Sequence, residues 1–239
     1  MPRISMPHAA LCVRSFAYVA LAGLVSVIFL PFYLLILLPA RYNWPVLRVY
    51  LRIHLLLLRW ICGIRYDLQG RENLPHDACI LASRHEAVWE TMYLPYALDN
   101  PAVFLKSELL RMPLVGPLMR KLGHIGIERS GNPEAVRKSF AAARKAVNAG
   151  RSVLIFPNGT RDPKHRFRVL PGISVLYQKL NLPVVPIVLN SGDHWIYNSW
   201  LRRPGTITVR ILPPIPVRLP VKTFVTRLQH DLSQPACTE

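Results

Sequence analysis

The stretch ACILASRHEAVWETMYLPYAL, residues 78–98, decides the fold. Its first six residues, ACILAS (78–83), form a short unbroken apolar run. That pattern reads as a strand buried on both faces. Residues 88–98 are apolar at helical spacing and long enough for about three turns. Between them stand Arg84, His85, Glu86 and Ala87, too few residues for anything but a turn. A strand that passes through a tight turn into a helix is the repeating unit of an α/β domain.

The same alternation continues outward. Strands are expected at 102–105, 125–127, 152–156, 182–189 and 206–212, the last with β-branched alternation. Helices are expected at 113–121, 173–180 and 221–232. A further helix begins at Asn132-Pro133, runs through Arg137, Phe140 and Ala143, and stops at Gly150. Residues 212–216, LPPIP, read as an extended surface segment among 22 prolines. No internal repeat or low-complexity tract is present. The expected fold class is α/β, a mostly parallel sheet flanked by helices, occupying 66–239. Residues 1–65 precede it as a membrane-associated helical segment.

That segment carries no charge from 15 to 40, between Arg14 and Arg41. At about 1.5 Å per residue the run is long enough to cross a hydrocarbon core of roughly 30 Å. It is too long for a signal peptide and lacks a clear small-x-small cleavage site. Pro31 interrupts it, so a straight span and two shorter helices dipping into one leaflet both fit. In the following stretch, 44–64, Arg48, Arg52 and Arg59 fall on one face. Arg41 shares that face within roughly 40°, at 100° per residue, but stands outside a helix that starts near Pro45. Leu51, Ile53, Leu56, Leu57, Trp60 and Ile61 fill much of the rest. This is the pattern of a cationic amphipathic helix in the headgroup plane; a helix packed on the domain with a solvated arginine face has it too. If the run spans, the excess of arginines after it places the rest of the chain on the cytoplasmic side.

The chain has 30 Lys and Arg against 13 Asp and Glu, a net charge of +17. Such an excess seeks an anionic partner: nucleic acid, an anionic membrane or a phosphorylated substrate. No nucleic-acid module or aromatic-interleaved basic stripe occurs, and the apolar N-terminus argues against nucleic acid. The four cysteines are scattered, without a C-x-x-C pair, which speaks against zinc and redox motifs.

His85 and Glu90 are five residues apart, about 140° apart on a regular helix, so one straight helix cannot bring them together. They meet only if His85 lies in the turn and Glu90 in the first helical turns. There the carboxylate can accept from Nδ1–H and balance an imidazolium. On this pair alone a capping or surface histidine fits better than a base. A second stretch adds weight: FPNGTR, 156–161, follows a strand. Gly159 permits close backbone approach, Thr160 adds a hydroxyl and Arg161 can grip a phosphate. A third and a fourth are GHIGIERSG (123–131), carrying Arg129, and LPVVPIVLNSG (182–192).

In this order and spacing the four stretches resemble the glycerolipid acyltransferase family, most of all its bacterial 1-acylglycerol-3-phosphate members. The family pattern is His-x4-Asp, Gly-x-Ile-x-x-x-Arg, Phe-Pro-Glu-Gly-Thr-Arg and a Val-Pro-Val-like block. The likeness runs from about Leu74 to Gly192, with KSEL (106–109) and Pro171-Gly172 also matching. The resemblance implies acyl transfer from acyl-CoA or acyl carrier protein to the hydroxyl of a lysophospholipid, without a cofactor, a metal or an acyl-enzyme. It implies His85 as general base and Glu90 as its orienting acid. Lys106, Arg129, Asn158, Gly159, Thr160 and Arg161 would bind substrate, with amides near Gly159 facing the oxyanion. It further implies work at a bacterial inner membrane, on the cytoplasmic face, among anionic lipids.

Three positions depart from the pattern. Glu90 replaces Asp and keeps the charge. Asn158 replaces Glu and raises the local charge by one beside Arg161. That points to another acceptor, such as lyso-ornithine lipid, or to a weakly active lipid-binding relative. Gly126 stands where a bulkier residue is common, which either widens a pocket or marks a strand irregularity.

Overall fold

A computed structural model describes residues 7–32, 39–128 and 133–237. Its strands are β1 (Ile64–Gln69), β2 (Ile80–Ser83), β3 (Ala102–Lys106), β4 (Ile125–Ile127), β5 (Val153–Ile155), β6 (Val184–Leu189) and β7 (Gly205–Ile211). Its helices are α1 (His8–Phe29), α2 (Ala40–Leu57), α3 (Trp89–Ala97), α4 (Ser107–Arg111), α5 (Val115–Lys121), α6 (Pro133–Asn148), α7 (Gly172–Leu180), α8 (Ser191–His194) and α9 (Val221–Ser233).

The strands form one sheet in the order β1-β7-β6-β2-β5-β3-β4. The five strands from β6 to β4 are parallel; β7 runs against β6, and β1 is parallel to β7. β2, β5 and β6 are buried along their whole length. They read as unbroken apolar runs because helices cover both faces. One face packs on α6, α7 and α9 through Ala143, Leu176, Tyr177, Phe224 and Leu228. The other packs on α1, α2 and α3 through Tyr18, Leu55, Leu58, Trp89 and Leu94.

α1 and α2 form an antiparallel hairpin. Ser26 Oγ meets Tyr50 Oη at 2.9 Å near its tip, and at its base Arg14 Nε donates to the Ile61 carbonyl. α1 ends at Phe29, two residues before Pro31, as the missing N–H requires. It is long and apolar enough to cross a membrane, with a mean hydropathy of 2.0. Its first half is fixed to the domain: Ser15 Oγ accepts from the Arg202 amide at 2.9 Å, and Tyr18 packs edge-on against Trp195. Burying Tyr18, Leu55 and Leu58 contributes roughly 2 kcal/mol apiece, so the hairpin shares a core with the sheet.

Several expectations shift. α2 starts at Ala40, not near Pro45, and so takes in Arg41. Pro45 then lies one turn inside, where it forfeits a single main-chain bond. β1 and α4 are not among the expected elements. β1 is an edge strand whose sequence, IRYDLQ, alternates Ile64, Tyr66 and Leu68, turned to the core, with exposed polar residues, and α4 is barely more than one turn. The expected division at 65/66 falls inside β1. In the LPPIP segment Pro213 and Pro214 are exposed, but Ile215 is buried and its amide donates to Val184 O at 2.7 Å.

Candidate active site

β2 is the central strand, and its carboxyl end points the chain at the site. Arg84 N still pairs with Ile187 O at 3.2 Å, after which the chain turns into α3. Glu90 falls in the first turn of α3, where a carboxylate suits the free amides and the positive end of the helix. Its Oε1 accepts from the Glu86 and Ala87 amides at 2.6 and 2.7 Å. The same oxygen lies 2.9 Å from His85 Nδ1, and Oε2 accepts from Ser191 Oγ at 2.7 Å. Glu90 is fully buried.

This cage fixes the histidine's tautomer. Oε1 faces two amides that can only donate, so it must accept from Nδ1–H as well. The lone pair of the imidazole is thereby left on Nε2. The ring stacks on Phe156 with centroids 4.3 Å apart, and remains partly exposed. The arrangement holds a base in a fixed orientation beside an ionised partner.

Glu86 faces the other way. It is buried, and the Arg166 guanidinium grips it with Nε–Oε1 2.7 Å and Nη2–Oε2 2.6 Å. Gly192 N donates to it at 3.2 Å and Arg84 Nη1 lies 3.6 Å away. Burial raises the Glu86 carboxyl above its usual range, with the Arg166 hydrogen bonds opposing. Burial likewise pushes the Arg84 guanidinium down to about 10. This network ties the β2–α3 turn to the loop after β5 and to α8.

Asn158 is also buried, and its amide is engaged with the main chain. Oδ1 accepts from His85 N at 3.2 Å; Nδ2 donates to His85 O at 3.0 Å and Thr160 O at 2.8 Å. Gly159 has a φ of 67°, a conformation glycine adopts freely, and its amide donates to Phe156 O at 3.0 Å. Thr160 Oγ1 accepts from Asp162 N at 3.2 Å. Arg161 is exposed and makes no hydrogen bond or ion pair among the described residues. Lys106 ends β3 at the same end of the sheet, two strands from β2 and so roughly 10 Å aside. Arg129 lies outside the described residues.

Of the expected residues, the structure thus joins His85, Glu90 and Asn158 directly. It sets Thr160, Arg161 and Lys106 around the same carboxyl edge. Sequence reading missed Arg166, which stands in no motif, and gave no role to Ser191, although it lies in the 182–192 stretch, or to Glu86 beyond its place in the turn. Cys79 is buried in the sheet beside Ser152, and burial raises its thiol pKa. At Gly126 a Cβ would lie 2.8 Å from Leu110 Cδ1. The space that the glycine leaves is therefore filled by α4.

Comparison with known proteins gives a consistent picture. Residues 65–190 match the family model described as Acyltransferase. The 1-acyl-sn-glycerol-3-phosphate acyltransferase of Pseudomonas aeruginosa is 36% identical over 187 residues, covering 77% of this chain and 72% of that one. An enzyme of the same name from Limnanthes alba is 31% identical over 204 residues, covering 81% and 67%. The crystal structure of the 1-acyl-sn-glycerophosphate acyltransferase PlsC from Thermotoga maritima superposes with a TM-score of 0.73. It covers 93% of this chain and 94% of that one at 18% identity, a likeness of fold.

Proposed function

The chain belongs to the acyltransferase family, and from that premise we propose that it moves a fatty acyl group from a thioester to the free hydroxyl of lysophosphatidate, giving phosphatidate. The observation that carries the mechanism is the single carboxylate oxygen shared by His85 Nδ1 and two main-chain amides. With Nδ1–H held there, Nε2 takes the proton of the acceptor hydroxyl as its oxygen attacks the thioester carbonyl. The tetrahedral oxyanion collapses, the C–S bond breaks, and the imidazolium returns the proton to the thiolate. Glu90 stabilises the imidazolium between these steps. The donor is acyl-CoA or acyl carrier protein, and the reaction calls on no cofactor or metal.

Arg161, Lys106 and Arg129 are assigned to the acceptor's phosphate. Arg161 is exposed, makes no hydrogen bond or ion pair among the described residues, and follows the Asn158 turn that bonds to the His85 main chain, which supports this assignment. Asn158 bonds to the main chain of the His85 loop, which supports a positioning role for it and lysophosphatidate as the acceptor.

The hairpin is assigned to the cytoplasmic face of a bacterial inner membrane. Val13, Phe16, Leu24 and Val27 are more than half exposed on α1; Arg48 and Arg52 on α2 and Arg59 in the turn after it are exposed. Since the hairpin leaves the domain along α1 and returns to it along α2, and α2 and the turn after it carry those cations, insertion into one leaflet suits it better than a full crossing.

The test is an acceptor panel with purified full-length protein, offering lysophosphatidate and lyso-ornithine lipid with each thioester donor. Lysophosphatidate is expected to be preferred and His85→Ala to abolish turnover. Acylation retained by His85→Ala, or a preference for lyso-ornithine lipid, would overturn the assignment.

A further inference from the structure

Where the returning arm of the hairpin meets the sheet, a cleft of about 490 Å³ opens. Arg14, Arg59, Trp60, Gly63, Arg65 and Thr206 line it, and no carboxylate does. Arg14 comes from α1, Arg59 from the turn after α2, and Arg65 from β1. These three elements bring three arginines to one cleft although like charges repel. The local chain accommodates the crowding. Arg14 is anchored by its bond to the Ile61 carbonyl. A Cβ on Gly63, which has a φ of 69°, would stand 3.0 Å from Arg14 Nη2. Arg65 and Thr206 are register partners on neighbouring parallel strands, so a guanidinium and a hydroxyl sit side by side. Guanidiniums with a hydroxyl are the donor set of a phosphate site.

The surroundings indicate where the phosphate comes from. Trp60 is 76% exposed, and Val13 and Phe16 stand beside Arg14 in sequence, 68% and 67% exposed. The cleft therefore lies where the apolar surface of the hairpin gives way to cations, the order of groups found across a membrane interface.

It is separate from the site at His85. β1 is the third strand from β2, on the side away from Lys106, which puts Arg65 roughly 14 Å aside. Along the strands, Ser83 aligns with Ile187 and Ile187 with Ile211, whereas Arg65 aligns with Thr206, five residues (211 − 206) further out. One phosphate cannot occupy both places.

We propose that this cleft is a second phosphate site, filled by the headgroup of an anionic membrane phospholipid that is not the acceptor. It would hold the base of the hairpin at the bilayer surface while His85 works on another lipid. The proposal rests on the membrane reading of the hairpin given above.

The test uses full-length protein and vesicles of phosphatidylcholine, alone or mixed with phosphatidylglycerol. The cleft variant Arg59→Gln/Arg65→Gln is compared with Arg48→Gln/Arg52→Gln, which removes equal charge from α2 outside the cleft. The parent should prefer the mixed vesicles. The cleft variant should lose about tenfold more of that preference than the control, as expected for lost charge-assisted bonds rather than lost charge alone. Acylation of detergent-dispersed lysophosphatidate should be unchanged. Equal losses in the two variants overturn the proposal and leave the hairpin reading standing. A raised KM for acyl-CoA in the cleft variant overturns it by giving the cleft to the donor's phosphates. Absence of vesicle binding by the parent overturns both readings.

Discussion

The side-chain amide of Asn158 holds His85 by both of its main-chain groups, accepting from its N–H at 3.2 Å and donating to its carbonyl at 3.0 Å. A carboxylate can only accept, so Asn158→Asp leaves the carbonyls of His85 and Thr160 without this donor. Each such loss costs about 1–3 kcal/mol when the group stays dry. The expected outcome is a lowered thermal midpoint in detergent and a reduced kcat, with the ranking of acceptor lipids unchanged. A changed ranking at an unchanged midpoint would return Asn158 to the acceptor.

Glu90→Gln separates charge from geometry. The amide oxygen can take the place of Oε1 before three donors, and the new NH2 can donate to Ser191 Oγ, which now accepts. The fold and the histidine's orientation should survive, while nothing balances the imidazolium. We expect kcat to fall by about 10²–10⁴ with little change in KM or thermal midpoint. A kcat within tenfold of the parent would make Glu90 a helix cap and no more.

How far the sequence could be read follows from what each residue depends on. ACILAS declared β2 because a strand buried on both faces must be apolar throughout, and four of its residues pair with β6. His85 and Glu90 are local, five residues apart, so a strand-to-helix turn sufficed to bring them together. Arg166 and Ser191 reach the same turn from 80 and 101 residues away, and such pairings leave no periodic trace. Asn158 is a different case: its place in the FPNGTR turn set it among the expected substrate contacts, and the fold turns its amide to the main chain of the β2–α3 turn. β1 alternates Ile64, Tyr66 and Leu68 toward the core, but it follows the preceding helix with only Gly63 between, so the helical reading of 44–64 absorbs Ile64 and leaves too short an alternation to stand out.

Arg166 tests whether the network around Glu86 matters. Arg166→Gln leaves a buried carboxylate with Gly192 N and a guanidinium 3.6 Å away. Removing one partner of a buried pair is costly, and Arg166 is itself partly exposed, so a loss of about 2–3 kcal/mol is expected. Adding Glu86→Gln should recover most of it, because the uncompensated charge goes too. A double-mutant cycle by chemical denaturation measures the coupling; additive losses would show that the two side chains act independently.

His124 supplies a pH dependence whose sign is fixed. Burial, aided by Arg151, lowers its pKa to about 4, and its Nδ1 accepts from the Val103 amide at 3.1 Å. In the unfolded chain the imidazole titrates near 6.5. As pH falls through the window from 6.5 to 4, the unfolded state takes up a proton that the native state refuses. The stability contributed by neutral His124 is therefore complete above 6.5 and drains away across that window. The loss amounts to roughly 3 kcal/mol at most. Denaturation of the parent at pH 7 and at pH 4.5 should show it. His124→Gln, whose carbonyl can still accept from Val103, should flatten this part of the profile; an equally steep fall in the variant would move the effect to other groups.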